Sequence, residues 1–252
     1  MKRNSGLQAV ILAGGLGTRL REAISDRPKA MANMGSKPFL EHQVEYLKSA
    51  GIDELIFCVG YLHEQIQHYF GDGSRWGVQI EYSVEEKLLG TAGALKLAEN
   101  YIQGTFLAMN GDSFLDVDLN ALALLHGERK TGSQAGKYVG TIALTKVEDA
   151  RNFGLTRVDQ NGLIESFVEK AANSTAGSNG YNLINAGIYV LERDLMGFIP
   201  AGTIVSIERE VFPKLLEDGY QLGGYIAKGL FVDIGTPAGY RRFQEYIEAR
   251  QP

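Results

Sequence analysis

The sequence predicts an α/β fold built on a mostly parallel sheet, and three observations carry that prediction. Short apolar runs alternate with stretches of helical periodicity through the first half of the chain, as in strand–helix–strand units. The first apolar run, Gln8–Leu12, opens directly into a glycine-rich loop. In the second half strands follow one another with few helices between them, which predicts antiparallel additions at one side of the sheet.

Each element has a local cause. Residues 8–12 form a short apolar run and read as a buried strand, followed by the glycine loop 13–20. Pro38 is tolerated in a first helical turn; Phe39, Leu40, Val44 and Leu47 recur at helical spacing, and Gly51 closes the helix. A strand at 54–59 and a short helix at 63–70 follow, closed by Gly71-Asp72-Gly73. Residues 78–83 are strand-like, 91–100 an alanine- and leucine-rich helix, 105–110 a strand running into Gly111-Asp112, and 119–130 a helix. Strands are expected at 138–146, 153–159, 163–168 and 182–190, a helix at 206–217, and short strands at 222–226 and 231–234. Thr236 is placed to cap a last helix with Pro237 at its first position. The segment 171–180, rich in Ala, Asn, Ser and Gly, reads as a flexible loop.

Composition narrows the classes of function. With 252 residues and 44% hydrophobic content, the chain can bury roughly 70–75% of its unfolded surface in one core. A formal net charge of −5 argues against a nucleic-acid partner, so an anionic ligand must be held by a local cluster of cations and backbone N–H groups. The single cysteine, Cys58, lies in the apolar run Leu55-Ile56-Phe57-Cys58-Val59 and reads as core; a chain without an intrachain disulfide suits the reducing cytosol. No apolar stretch approaches the roughly 18 residues of a membrane span. The basic N-terminus leads into too short an apolar run for a signal peptide and is expected to be a leader into the first strand. A cytoplasmic location without a membrane partner is therefore expected. His42, His63, His68 and His126 show no ligand spacing, so no zinc site is expected.

In open α/β sheets ligands sit outside the carboxyl ends of the strands, which directs attention to the loops after Leu12, Ser83 and Asn110. The first reads Leu12-Ala13-Gly14-Gly15-Leu16-Gly17-Thr18-Arg19-Leu20. It lacks the Gly-Lys-Ser/Thr ending of a Walker loop and the third glycine of a dinucleotide fingerprint. What remains is either a phosphate-binding glycine loop ending in an arginine or a plain strand-to-helix turn. Lys29, behind Pro28, adds a second cation whose alternative is a solvated lysine. Asp112, in Asn110-Gly111-Asp112, is either a turn aspartate or a carboxylate able to hold Mg²⁺ beside a triphosphate. Asp116-Val117-Asp118 mimics the metal motif of a glycosyltransferase, but Asp118 reads better as the cap of the helix that follows. Asp233 is an acid inside an apolar strand, where a charge needs a partner or a metal, and Glu169-Lys170 ends another strand.

Taken in order, these pieces resemble the sugar-1-phosphate nucleotidyltransferase (NDP-sugar pyrophosphorylase) family. The carrying motifs are residues 13–20, Pro28-Lys29, Leu89-Gly90-Thr91-Ala92-Gly93, Asn110-Gly111-Asp112, Glu169-Lys170, Asn185-Ala186-Gly187 and Val232-Asp233-Ile234-Gly235-Thr236-Pro237. Within the family the likeness is greatest to guanylyltransferases for D-glycero-α-D-manno-heptose 1-phosphate, then to short mannose-1-phosphate guanylyltransferases; Val59-Gly60-Tyr61 and the run from Tyr69 to Gly73 carry that finer resemblance. Where such loops usually read Pro-Lys-Pro, this chain has Pro28-Lys29-Ala30, which should loosen the loop holding Lys29.

The resemblance implies a Rossmann-like single domain over 1–252, with a nucleotide-binding half at about 1–135, a sugar-binding half at about 136–252 and no extra C-terminal domain. It implies transfer of a nucleoside monophosphate, GMP from GTP, to a sugar 1-phosphate with release of pyrophosphate. Arg19 would hold the leaving pyrophosphate, Lys29 the phosphates at the reacting centre, Lys170 the sugar phosphate, and Asp112 and Asp233 Mg²⁺. Leu12, Ala13, Gly14, Gly15, Gly17 and Thr18 would cradle the nucleotide, with the base near Gly90-Thr91. Asn110, Gly154, Glu169 and Asn185 would face the sugar. Glu85 is expected to read guanine, because an ionised carboxylate accepts from both N1–H and the N2 amine; thymidylyl relatives carry a glutamine at this place, and Glu86 is the fallback. Alternatives are mannose 1-phosphate or another sugar phosphate as acceptor, a nucleotide-sugar-binding regulator without turnover, and a glycosyltransferase using Asp116 and Asp118. The resemblance is compatible with a homo-oligomer.

Overall fold

A computed structural model describes residues 6–15, 27–132, 136–150, 153–168 and 182–250. In chain order, β1 (Gln8–Leu12) is followed by a short ribbon of β2 (Asn33–Met34) and β3 (Lys37–Pro38), then α1 (Phe39–Ser49), β4 (Glu54–Val59), α2 (His63–Phe70) and β5 (Gln79–Val84). Next come α3 (Gly90–Leu97), β6 (Phe106–Asn110), β7 (Ser113–Leu115), α4 (Leu119–Gly132), β8 (Tyr138–Val147), β9 (Leu155–Val158), β10 (Ile164–Val168) and β11 (Asn182–Leu191). The described chain closes with α5 (Phe212–Glu217), β12 (Gln221–Ala227), β13 (Phe231–Asp233) and α6 (Pro237–Glu248).

Among the described residues the central sheet has nine strands, with β5, β4, β1 and β6 side by side and parallel. Residues alternate between two buried faces: Ala9, Ile11, Leu55, Phe57, Leu107 and Met109 on one, Val10, Ile56, Cys58, Phe106 and Ala108 on the other. Burial on both faces explains why these strands read as continuous apolar runs. Beyond β6 the sheet turns antiparallel through β11, which pairs with β8 and β9, while β10 pairs with β9. One addition departs from the expected pattern: β12 runs parallel to β8, since the chain leaves β11, which is antiparallel to β8, passes through α5 and returns to pair with β8 in the opposite direction to β11.

Three details sharpen the sequence expectations. The helix expected at 91–100 ends at Leu97 and continues as a 3₁₀ turn at Glu99–Tyr101. The helix expected from 206 begins as a π-helical turn, Ile207–Val211, capped by the Ser206 hydroxyl accepting from Arg209 N. Asp118 and Thr236 cap α4 and α6 as expected: Asp118 Oδ1 accepts from Asn120 N and Ala121 N, and Thr236 Oγ1 from Gly239 N. A third cluster, with Met34, Phe39, Phe114, Val232, Ile234 and Phe243, ties α6 to the β2–β3 ribbon and to the β7–β13 pair. That cluster fixes the strand carrying Asp233.

Candidate active site

The parallel strands pass from β1 to β4 and β5 on one side, then return to β6 on the other side of β1. The carboxyl ends of β1 and β6 therefore mark the point where strand order reverses, the usual crevice for a ligand. Leu12 is in register with Asn110 there, and Gly111 N donates to Leu12 O at 2.9 Å. Ala13 N donates to Cys58 O at 2.8 Å, which fixes the start of the glycine loop against β4. Gly14 is buried and Gly15 exposed; Gly17, Thr18 and Arg19 lie outside the described residues.

Three charged side chains meet at this end. Lys29 Nζ lies 2.7 Å from Asp112 Oδ2 and 3.7 Å from Asp233 Oδ1. Lys29 opens a 3₁₀ turn, Lys29–Met31, in which Ala30 and Met31 are buried; packing anchors the turn where the second proline is missing. Asp112 sits between β6 and β7, and its carbonyl accepts from Ile234 N at 3.0 Å. Asp233 pairs in register with Ser113, so the two carboxylates are brought together by the β7–β13 ladder. Asp233 Oδ1 also accepts from Gly235 N at 2.7 Å. A Cβ on Gly235 would collide with Lys29 Nζ and come within 2.7 Å of Asp233 Oδ1, so only glycine leaves this space open.

Glu85 is buried below the glycine loop. One oxygen accepts from Leu89 N at 2.9 Å, and the other lies against Gly14, where any side chain would strike it. Burial pushes its carboxyl pKa up, with the Leu89 hydrogen bond opposing. Glu86 is exposed. Gly90 begins α3 at φ +72°, and a Cβ there would meet Val205 O at 2.5 Å, so glycine is required twice over. The Thr91 hydroxyl is already committed: it donates to Glu208 Oε2 at 2.8 Å and accepts from Ile207 N at 2.9 Å. Its side chain therefore fixes the start of α3 against the π-helical turn.

On the other flank, the Asn185 amide donates to Tyr189 OH at 3.0 Å and accepts from Gly187 N at 2.8 Å, shaping an irregularity in β11. Tyr189 OH in turn donates to Glu208 Oε1 at 3.2 Å. Tyr189 and Glu208 carried no sequence signal, since a tyrosine in an apolar strand and a glutamate in a helix read as ordinary. Asn110 Oδ1 is buried and has no hydrogen-bond partner among the described residues. Gly154 is exposed beside the end of β10, close to Val168 O. Glu169, Lys170 and the segment 171–180 lie outside the described residues.

The aspartates of the glycosyltransferase-like motif are occupied elsewhere: Asp116 pairs with Arg250 at 2.8 Å and Asp118 is the α4 cap. Among the described residues no three His, Cys, Asp or Glu converge, so no all-protein metal cage forms there. The pair Asp112–Asp233 nevertheless fits a hard divalent cation. It supplies carboxylate oxygens, an ammonium already sits between them, and Gly235 keeps the space clear. Among the described residues no helix is long and apolar enough to cross a membrane.

The model of the nucleotidyl transferase family matches residues 8–250. A D-glycero-α-D-manno-heptose 1-phosphate guanylyltransferase of Campylobacter jejuni is 38% identical over 240 residues, covering 94% of this chain and 98% of the relative. A mannose-1-phosphate guanylyltransferase of Mycobacterium tuberculosis is 37% identical over 94% of this chain, which spans 63% of that longer protein. The crystal structure of HddC from Yersinia pseudotuberculosis complexed with GMP-PN superposes with a TM-score of 0.79 at 29% identity, covering 96% of this chain and 99% of that one.

Proposed function

Because the chain belongs to the nucleotidyl transferase family, we propose that it transfers GMP from GTP to a sugar 1-phosphate, D-glycero-α-D-manno-heptose 1-phosphate, releasing pyrophosphate. The observation that carries this reading is the Lys29–Asp112–Asp233 cluster at the carboxyl ends of β1 and β6. The sugar assignment rests on near-full-length similarity to the heptose enzymes of Campylobacter jejuni and Aneurinibacillus thermoaerophilus.

Charge sets the mechanism. An oxygen of the sugar phosphate attacks the α-phosphorus of the triphosphate, and pyrophosphate departs in line. The nucleophile is already anionic near neutral pH, so no general base is needed. The task is to align two polyanions that repel each other and to neutralise the charge that builds up. Asp112 and Asp233 would hold Mg²⁺, which would supply positive charge against the phosphates. Lys29 contacts the phosphates at the reacting centre, and Arg19 the departing pyrophosphate. Lys170 grips the sugar phosphate. Gly14, Gly15, Gly17 and Thr18 offer backbone N–H groups to the triphosphate. Glu169, Asn185 and Gly154 line the sugar side, where Asn110 Oδ1, without a partner among the described residues, is an acceptor for a sugar hydroxyl. Glu85 selects guanine from beneath the loop, and Gly90-Thr91 forms the floor under the base.

Labelled GTP tests the reaction. Label from the α-phosphate should appear in the nucleotide sugar, and label from the γ-phosphate in pyrophosphate. Label from the α-phosphate remaining in free GMP would exclude transfer to the sugar.

A further inference from the structure

Gln43 is fully buried on the face of α1 that also carries Phe39, Leu40, Val44 and Leu47. A polar group placed there costs stability unless it is hydrogen-bonded. Its amide nitrogen donates to Asn110 O at 2.9 Å and to Ser113 O at 3.0 Å. Those carbonyls flank Gly111-Asp112, so one amide clasps the loop at both ends and holds it closed. Gln43 Oε1 has no partner among the described residues. Only the donor half of the amide is used, and a side chain whose job was packing alone would gain from being apolar. The loop is also held through Gly111 N to Leu12 O, Ile234 N to Asp112 O, the Ser113 hydroxyl to Ala186 O and Lys29 Nζ to Asp112 Oδ2, but among the hydrogen bonds of the described residues only the Gln43 amide joins the carbonyls at both of its ends. Asp112 itself is 46% exposed and its carboxylate meets Lys29 Nζ at 2.7 Å, so the backbone beneath it has to aim it at that same point.

We propose that Gln43 is a positioning residue for catalysis: it sets the backbone of the Asp112 loop so that the carboxylate points at the metal shared with Asp233. This rests on the metal role proposed above for Asp112. Groups that orient a metal ligand commonly change metal affinity or activity about 10–100-fold when removed. Gln43→Met keeps the length of the side chain and removes the donor.

The test follows Mn²⁺ binding by electron paramagnetic resonance, with a non-hydrolysable GTP analogue present, in the wild type, Gln43→Met, Asp112→Asn and the double variant. Gln43→Met should weaken Mn²⁺ about tenfold and raise the Mg²⁺ concentration for half-maximal turnover by a similar factor. KM for the sugar phosphate should stay within about twofold. In the Asp112→Asn background Gln43→Met should change metal affinity by less than about twofold, since its effect is routed through that carboxylate. If Gln43→Met does not accumulate as folded protein, Gln43→Asn, with an amide one methylene too short to span both carbonyls, carries the same comparison. Unchanged Mn²⁺ affinity in the folded variant, or an equal loss in both backgrounds, overturns the proposal. Unchanged affinity in Asp112→Asn would instead remove the metal role of Asp112.

Discussion

Replacing Lys29 with methionine removes the ammonium between Asp112 and Asp233 while leaving a chain of similar length. The two effects expected have opposite directions. Asp112 is 46% exposed, so solvent screens its bond to Lys29 and that pair is worth only ~0.2–1 kcal/mol. Asp233 is 19% exposed and adds a contact at 3.7 Å of about the same worth, given its longer reach. Together the two carboxylates lose a competing cation worth ~0.4–2 kcal/mol, which is ~2–30-fold in affinity for a divalent ion. The free variant should therefore bind Mn²⁺ more tightly than the wild type. Its turnover should nevertheless fall by at least ~10²-fold, because the same ammonium would neutralise charge on the phosphates in the transition state. Isothermal titration of Mn²⁺ into the free protein measures the first effect, and steady-state turnover the second. Mn²⁺ affinity that is unchanged or weaker in Lys29→Met would refute the idea that this lysine is the resident counter-ion of the metal ligands.

Other perturbations separate the remaining roles. Asp112→Asn and Asp233→Asn should each lower turnover at least ~10²-fold, while Asp116→Asn, which breaks the surface pair with Arg250, should leave it nearly unchanged; steady-state rates at saturating Mg²⁺ decide this. Glu85→Gln should weaken GTP use and raise relative use of UTP or dTTP, read as ratios of kcat/KM. Guanine favours the ionised form of Glu85, so GTP affinity should be present above its raised carboxyl pKa and fade as pH falls through it; Glu85→Gln should abolish that dependence. Burial disfavours ionised Glu192, but hydrogen bonds from His126, Lys130 and Thr105 outweigh it and hold the carboxyl down to about 2. Its contribution, on the order of 1 kcal/mol after solvent screening, is thus present above the ordinary carboxylate value and lost as pH falls toward about 2. Denaturant melts of Glu192→Gln between pH 7 and 3 should show a shallower acid loss than the wild type.

The central strands were legible because burial on both faces leaves apolar runs with clear ends: 54–59 and the helix 63–70 match residue for residue. The β2–β3 ribbon and β7 were not, because strands of two or three residues carry no periodicity, and Pro38 reads as a helix start though it also closes that ribbon. Asp112 was legible as an acid at a strand end and Asp233 as an acid inside a strand, but their meeting depends on the β7–β13 ladder, a contact between distant segments. Thr91 stood out by its motif, yet its hydroxyl is taken up by Glu208 and Ile207. Gln43 stayed hidden because a polar residue in an apolar helical pattern reads as a solvated position until burial is known.

Initial rates of pyrophosphate release test the central claim most directly. They would be measured with Mg²⁺ and each of GTP, ATP, UTP and dTTP, alone and with heptose 1-phosphate or mannose 1-phosphate. The account predicts release only when nucleotide and sugar phosphate are both present, fastest with GTP and the heptose. Release that does not depend on the sugar phosphate, or none with any pair, would contradict it.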